Sequence, residues 1–355
     1  MRRVAAFALG VCVASAALAE EEPSAVGSGL AQGSPAVPLE RAPPEYPKPL
    51  LRKGLEGWVV LSFLVNPDGS VSDVIVEDST STLFEEPARA AVRSWTYTPA
   101  KLGGEPVAQA HTSVVIAFQV QDARPSKRFV KRYREIQAHF SEGDLAAAER
   151  TILALGQSDQ LNIRERAYLA MADAELRGQR GEDDRQLTSL LRATVLQGKF
   201  LGPETYASAL RSLYVLHLQR QEIARALGVF LTLRGLEETP ADPLVRAAER
   251  ARDLAAGDKP LGRMGRIATQ SEIQASGAPR VWSHQLMRRE LSFRDVAKGS
   301  LESLDFRCRY HRATDEITTE KTWRIPASWG GCTVYVYGTP GTTFTLVEYP
   351  DPAGP

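Results

Sequence analysis

The residues best suited to chemistry lie towards the carboxyl end, where Cys308 and His311 precede Cys332. Thiolate and imidazole groups bind zinc, but a structural zinc site normally has four ligands, and the sequence offers no fourth nearby. The remaining cysteine, Cys12, lies in a segment that export would remove, and two cysteines in an exported chain most simply form one disulfide. We therefore predict a Cys308–Cys332 disulfide, with a three-ligand metal site as the alternative. His311 is expected to be a surface histidine.

Signatures of catalysis are missing from the sequence, which has no G-x-S-x-G, no H-E-x-x-H, no P-loop and no dinucleotide-binding fingerprint. Trp323 and Trp329 could hold a carbohydrate or a peptide, although packing in a core or turn is the commoner role of such residues. Basic and acidic residues balance at 43 each, so net charge gives no reason to expect nucleic acid as a partner. The basic cluster between residues 127 and 134 is interpreted as a solvated helix face. We predict a non-enzymatic protein without cofactor or metal.

The first 19 residues have the composition of a secretory signal peptide. Two arginines precede an Ala- and Val-rich stretch that closes on Ala17-Leu18-Ala19, a suitable cleavage site. An uncleaved membrane anchor is the alternative, but the apolar run from Val4 is short for a span of about 20 residues. Residues 20–40 are rich in Ala, Gly, Ser and Pro, so we expect a flexible leader there.

The next eighty residues alternate strand and helix patterns. An apolar run begins at Trp58, "NPDG" at 66–69 predicts a type I turn, and a second strand follows. An amphipathic helix is then predicted from an apolar stripe that runs from Phe84 to Trp95. A third strand covers 111–120. This order predicts a small antiparallel sheet covered on one face by one helix, an α+β arrangement.

Residues at fixed spacing across this region resemble a known family. The matching positions are Tyr46-Pro47, Gly54-x-Glu56-Gly57, Asp68-Gly69-x-Val71, Phe84, Ala88, Ala91-Val92, Trp95-x-Tyr97-x-Pro99-Ala100, Gly104 and the strand 114–118. Segment 41–122 resembles the TonB C-terminal domain. The resemblance implies a periplasmic domain that pairs its last strand with a segment of an outer-membrane receptor and transmits force from an inner-membrane motor. Pro43 stands where family members often carry Gln.

The resemblance implies that the partner binds along the last strand and the segment that leads into the sheet. The predicted binding residues are Tyr46, Pro47, Val114, Val115, Ile116, Ala117 and Phe118. Val114, Ile116 and Phe118 should pack under the helix. Val115, Ala117 and Gln119 should then lie on the opposite face. Main-chain hydrogen bonds along an open edge would then supply the affinity.

We expect a periplasmic protein that binds an outer-membrane receptor or another envelope protein. The first alternative is a TonB-type energy transducer anchored in the inner membrane, which would also bind inner-membrane motor proteins. The second is a helical-repeat adaptor for envelope assembly.

The remaining two thirds of the chain divide into a helical part and a β-rich part. Residues 123–258 are predicted to form helical hairpins opened by Tyr133, Tyr168 and Tyr206, and 126–258 resembles divergent tetratricopeptide repeats. An unrelated helical bundle is the alternative. Residues 259–280 are predicted to be a linker. For 281–355 we predict a small all-β domain in which "GTPG" at 338–341 joins the last two strands as a hairpin. The whole chain is thus predicted to be a multidomain α+β protein.

Overall fold

A computed structural model describes residues 10–11, 33–120, 124–236, 242–272 and 281–351. Most of the predicted signal peptide and residues 20–32 of the predicted leader lie outside these ranges. The described residues form a first domain (33–120), a helical domain (124–256) and a β domain (261–351). Within the described ranges, no helix is both long and apolar enough to cross a membrane.

The first domain is built on three antiparallel strands and one helix, as predicted. In chain order its elements, with the short strand that precedes it, are β1 (Gly10–Val11), β2 (Gly33–Ser34), β3 (Val37–Glu40), α1 (Lys48–Lys53), β4 (Gly57–Val65), β5 (Val71–Ser79), α2 (Glu85–Arg93), β6 (Thr96–Thr98), β7 (Ala100–Leu102), β8 (Glu105–Val107) and β9 (Gln109–Phe118). The central sheet has the strand order β1-β9-β4-β5.

The turn between β4 and β5 follows the chemistry of its residues. Gly69 donates its N–H to the carbonyl of Asn66 at 2.9 Å and has a φ of 84°, which favours glycine. A Cβ at this position would lie 2.0 Å from the carbonyl oxygen of Tyr97, so a larger residue would displace that segment.

Helix α2 lies over one face of the sheet. Its apolar stripe is buried together with Trp95, which is 2% exposed and donates its indole N–H to the carbonyl of Ala42 at 2.8 Å. Pro87 lies in the first turn of the helix, where its missing N–H removes no helical hydrogen bond.

The structured region begins before the predicted boundary at 41. Strand β2 pairs with β7, and β3 pairs with β6, so residues 33–34 and 37–40 are not a flexible leader. Their composition gives no periodic pattern because these short strands are largely exposed and are held by main-chain pairing.

The helical domain contains the predicted succession of helices. They are α3 (Lys127–Glu142), α4 (Leu145–Gly156), α5 (Ile163–Gln179), α6 (Asp183–Thr194), α7 (Pro203–Gln219), α8 (Ile223–Leu236) and α9 (Asp242–Ala256). Side chains of Ser126, Asp144 and Asn162 cap the first three of these helices. The turn between α3 and α4 follows Gly143, whose φ of 74° ends the helix in the left-handed region. Whether the pairs are true tetratricopeptide repeats stays a prediction.

The β domain is a pair of packed sheets. Its strands are β10 (Leu261–Arg266), β11 (Trp282–Gln285), β12 (Glu290–Ala297), β13 (Leu301–Cys308), β14 (Arg312–Glu316), β15 (Thr322–Arg324), β16 (Cys332–Gly338) and β17 (Thr343–Tyr349). One sheet has the order β10-β17-β12-β15 and the other β11-β16-β13-β14. Their inner faces share one apolar core that includes Phe293, Phe306 and Phe344.

Two predictions for this part of the chain are wrong. Strand β10 lies inside the predicted linker 259–280 and pairs along its whole length with β17. The turn at 338–341 does not form a hairpin, because β16 pairs with β11 and β13 whereas β17 pairs with β10 and β12. The turn residues reverse the chain, but they carry it from one sheet to the other. Residues 352–355 lie outside the described ranges.

Candidate partner-binding edge

Strand β9 lies at the outer side of the three long strands of the first domain. Its inner side pairs with β4 from Gly57 opposite Phe118 to Val65 opposite Gln109. Among the described residues, the outer side pairs only with β1, which runs antiparallel with Gly10 opposite Ile116 and Val11 opposite Val115. The outer side of β9 therefore carries one short strand of the chain itself, at Val115 and Ile116.

The side chains of β9 alternate as predicted. Val114, Ile116 and Phe118 lie in the core beneath α2, whereas Val115 and Ala117 face the other way. All five are buried, with exposed fractions from 0% to 5%. Because both faces of the strand are covered, its outer backbone is the part that an extended partner could reach.

Tyr46 packs against the end of β9. Tyr46 is 8% exposed, donates its hydroxyl to the carbonyl of Leu55, and sets its ring edge-on against Phe118 with centroids 5.5 Å apart. Burial, with a smaller contribution from the charge of Glu56, raises the pKa of Tyr46 well above its usual range. Pro47 is half-buried and precedes α1. Tyr46 therefore packs against the end of β9, and its contact with a partner stays a prediction.

The helical domain covers the second face of the sheet, which the sequence did not reveal. Trp58 on β4 joins Val115 and Ala117 in one apolar cluster with Ile163 and Ala167 of α5. Strands with apolar residues on both faces are typical of a sheet that is covered on both faces. The continuous apolar run in β4 was the available signal for this second layer.

Glu56 links the end of β9 to the helical domain. The residue is 5% exposed, and its two carboxylate oxygens accept the backbone N–H groups of Val120 at 2.9 Å and Ile163 at 3.1 Å. Ile163 is the first residue of α5, so the carboxylate also lies at the positive end of a helix. Glu165 continues this contact by accepting the backbone N–H of Ser126 at 2.7 Å.

Acidic residues of β5 attach the other two domains. The Asp78 carboxylate accepts hydrogen bonds from Nε and Nη2 of Arg192 on α6, at 3.0 and 2.9 Å. Glu77 accepts the hydroxyl hydrogen of Tyr335 on β16 at 2.9 Å.

Asp73 has a φ of 48° and contacts the β domain through Arg312 on β14. Arg312 is also held by the buried Asp305 at 3.0 Å. Hydrogen bonding to Asp305 raises the pKa of the Arg312 guanidinium. Partners so distant in sequence could not be matched to β5 from its residues alone.

The cysteines form the predicted disulfide. Cys308 and Cys332 lie opposite each other on β13 and β16 and are joined. Both thiols are thereby removed from metal binding, which overturns the alternative of a three-ligand site. His311 stacks on Trp329 with ring centroids 4.0 Å apart, and burial lowers the pKa of its imidazole. Trp323 is buried in the core of the β domain.

Sequence comparison with known proteins finds relatives of the first domain. Residues 42–120 match the family described as "Gram-negative bacterial TonB protein C-terminal". Protein TonB of Pseudomonas aeruginosa is 31% identical over 103 residues, which are 29% of this chain and 30% of that protein. Protein TonB of Escherichia coli is 38% identical over 66 residues, or 18% of this chain and 28% of that protein. Residues 42–120 form a domain of the TonB C-terminal type.

Solved TonB-like domains also align with this chain. The solution structure of the Pseudomonas aeruginosa TonB C-terminal domain is 26% identical, with 26% of this chain and 92% of that chain covered and a TM-score of 0.22. The TonB2 protein of Vibrio anguillarum is 31% identical, with 28% and 90% covered and a TM-score of 0.21. The assignment of the TonB-like domain rests on the sequence matches. The chain spans about 30% of the length of the Pseudomonas aeruginosa protein.

Proposed function

We propose that this chain is a non-enzymatic periplasmic protein that captures an extended segment of an envelope partner along β9. The partner would be an outer-membrane receptor or another envelope protein. The observation that carries the proposal is the geometry of β9, whose side chains are buried on both faces while its outer backbone accepts a second strand at Val115 and Ile116. Backbone pairing gives affinity through N–H and C=O groups and makes little demand on side chains.

The surroundings of β9 support capture by a rigid edge. The strand is held by α2 on one face, by the helical domain on the other, and by Glu56 just beyond its end. A pre-organised edge loses little conformational freedom when a partner strand is added. The TonB-like domain therefore presents its edge strand while it is packed against the helical domain.

A TonB-type energy transducer is the second candidate function. It is favoured by the similarity of residues 42–120 to TonB proteins. In this case the chain would be anchored in the inner membrane and would contact motor proteins there. The amino-terminal residue of protein isolated from the host separates the two candidates. A chain that begins at Glu20 favours the periplasmic protein, and a chain that retains residues 1–19 favours the transducer.

Proline substitution along β9 tests strand capture. Successive N–H groups of a strand point to opposite sides, so those of Val115 and Ala117 share one direction and those of Val114 and Ile116 share the other. One of these two pairs of N–H groups points away from β4, and proline there removes donors that the partner needs but costs the fold little. The other pair points towards β4, and proline there breaks pairing with β4 and destabilises the domain.

The assay is capture from outer-membrane extract by the full chain, with the captured protein identified by mass spectrometry. We expect the fold-preserving proline variants to lose the protein that the unmodified chain retains, while circular dichroism stays native. Retention of the same protein by every fold-preserving variant would contradict strand capture. Binding would then have to be sought on the helical domain.

A further inference from the structure

The outer face of α3 carries an excess of positive charge. Lys127, Arg128, Lys131 and Arg134 are all exposed. In the described part of the chain none of these four forms an ion pair, whereas Arg132 of the same helix pairs with Glu135 at 2.7 Å. The chain as a whole has no net charge, so this concentration of cations is local.

The fold does not need these cations. The opposite side of α3, including Phe129 and Ile136, is already buried in the core of the helical domain. Like charges three and four residues apart on a helix repel one another and weaken it. An acidic ligand would reduce that repulsion. The cations therefore suit ligand binding better than a role in folding.

A shallow, open groove lies on the same face. Pro125, Val130 and Ala138 contribute apolar surface to a groove of about 550 Å³, and Lys127, Lys131 and Arg134 line it together with Glu135. A lining that combines apolar and cationic side chains suits a peptide chain that carries carboxylates as well as apolar residues.

The groove begins where β9 ends. Val120 is held by Glu56, which also holds the first residue of α5, and the neighbouring Glu165 holds Ser126 at the start of α3. A strand paired antiparallel with β9, in the register of β1, would have its amino-terminal side directed past Phe118 towards α3. The end of β9 and the start of α3 therefore both lie beside the amino-terminal end of α5.

We propose that α3 binds acidic residues of the same partner segment that pairs with β9, and that these residues precede the pairing stretch. The inference rests on the proposed strand capture and adds the chemistry and direction of the partner. The partner segment is thus an apolar strand with carboxylates on its amino-terminal side.

Three synthetic peptides test the proposal on the protein in its exported form. Each contains residues 6–14 of this chain with Cys12→Ser, since Gly10 and Val11 occupy the β9 edge in the structure. One peptide carries three added glutamates before the strand, one carries three glutamines there, and one carries the glutamates after the strand. We expect the first to bind about tenfold tighter than the other two at low salt, as a few partly exposed ion pairs would give.

Charge reversal locates the effect. In K127E/K131E the peptide with glutamates before the strand should lose its tighter binding, while the glutamine peptide should bind as before. The matched control R246E/R250E reverses two exposed arginines on α9 and should leave the advantage intact. High salt should also abolish it.

Several results would overturn the proposal. Equal binding of all three peptides would show that α3 does not contribute, with strand capture unaffected. Equal gain from glutamates at either end would show attraction without direction. Binding of anionic vesicles that is lost in K127E/K131E, with no gain from glutamates, would assign the face to membranes. Failure of every peptide to bind would count against strand capture and against this extension of it.

Discussion

Replacing Glu56 with glutamine should loosen the attachment of the TonB-like domain to the helical domain. The Glu56 carboxylate is buried and accepts two backbone N–H groups, from Val120 and Ile163. Hydrogen bonds to charged groups contribute about 1.5–3 kcal/mol each. Glutamine keeps one acceptor oxygen but turns an N–H₂ group towards the second donor. We therefore expect a loss of roughly 2–4 kcal/mol in the free energy of unfolding.

Urea denaturation of the full chain measures this loss. Circular dichroism follows the helical domain, and tryptophan fluorescence reports on the TonB-like and β domains as well. We expect the midpoint to fall and the two signals to separate, since the domains would no longer unfold together. Limited proteolysis should also cut faster between residues 119 and 126.

Glu86→Gln is the matched control for this experiment. The substitution at Glu86 is chemically the same, but this side chain on α2 is 68% exposed and pairs with Arg89 at the surface. Its loss should cost less than about 0.5 kcal/mol. If Glu56→Gln is as stable as Glu86→Gln and is cut no faster, Glu56 does not join the two domains.

The remaining predictions concern the core, the disulfide and acid stability. Trp95→Ala should destabilise the full chain by roughly 3–5 kcal/mol in urea denaturation, because it empties a buried site and leaves a carbonyl unpaired; an unchanged midpoint would place the indole at the surface. The native protein should have a mass lower by the two thiol hydrogens than the reduced form, whereas free alkylation of Cys308 and Cys332 without reductant would exclude the bond. Burial lowers the pKa of His217 in the folded protein. The unfolded chain therefore binds a proton first, and stability should fall as pH drops below about 6.5. His217→Gln should flatten that decline in thermal unfolding between pH 7 and pH 5, and His139→Gln, as a control at a partly exposed site, should not. Equal slopes in both variants would remove His217 as the cause.

The alternation of side chains along β9 could be predicted because it depends on neighbouring residues alone. A strand sends successive side chains to opposite faces, so Val114, Ile116 and Phe118 had to share one side. The helix that ends before Trp95 followed equally from its apolar stripe. The matches at fixed spacing added the family, and with it the expectation of an open edge.

The contacts between domains could not be predicted in the same way. Glu56 reaches Ile163 across 107 positions, and Asp78 reaches Arg192 across 114. A buried carboxylate and an exposed one look the same in a sequence, because the difference is made by a distant partner. The turn at 338–341 shows a related limit, since turn residues specify where the chain reverses but not which sheet receives the next strand.

The buried second face of the sheet changes how the TonB-like domain should be studied. Removal of the helical domain would expose Trp58, Val115 and Ala117, which together form an apolar surface next to the proposed binding edge. Such a patch promotes non-specific association. Binding experiments are therefore best done on the full chain.

Amide hydrogen exchange along β9 tests strand capture most directly. The full chain is exchanged alone and with the partner identified by capture, and the rates are compared residue by residue. We predict that binding slows exchange at the outward-facing amides of residues 114–118, because each acquires a carbonyl partner, while the inward amides stay as slow as before. Unchanged exchange throughout β9, with new protection confined to the helices, would contradict capture at this edge.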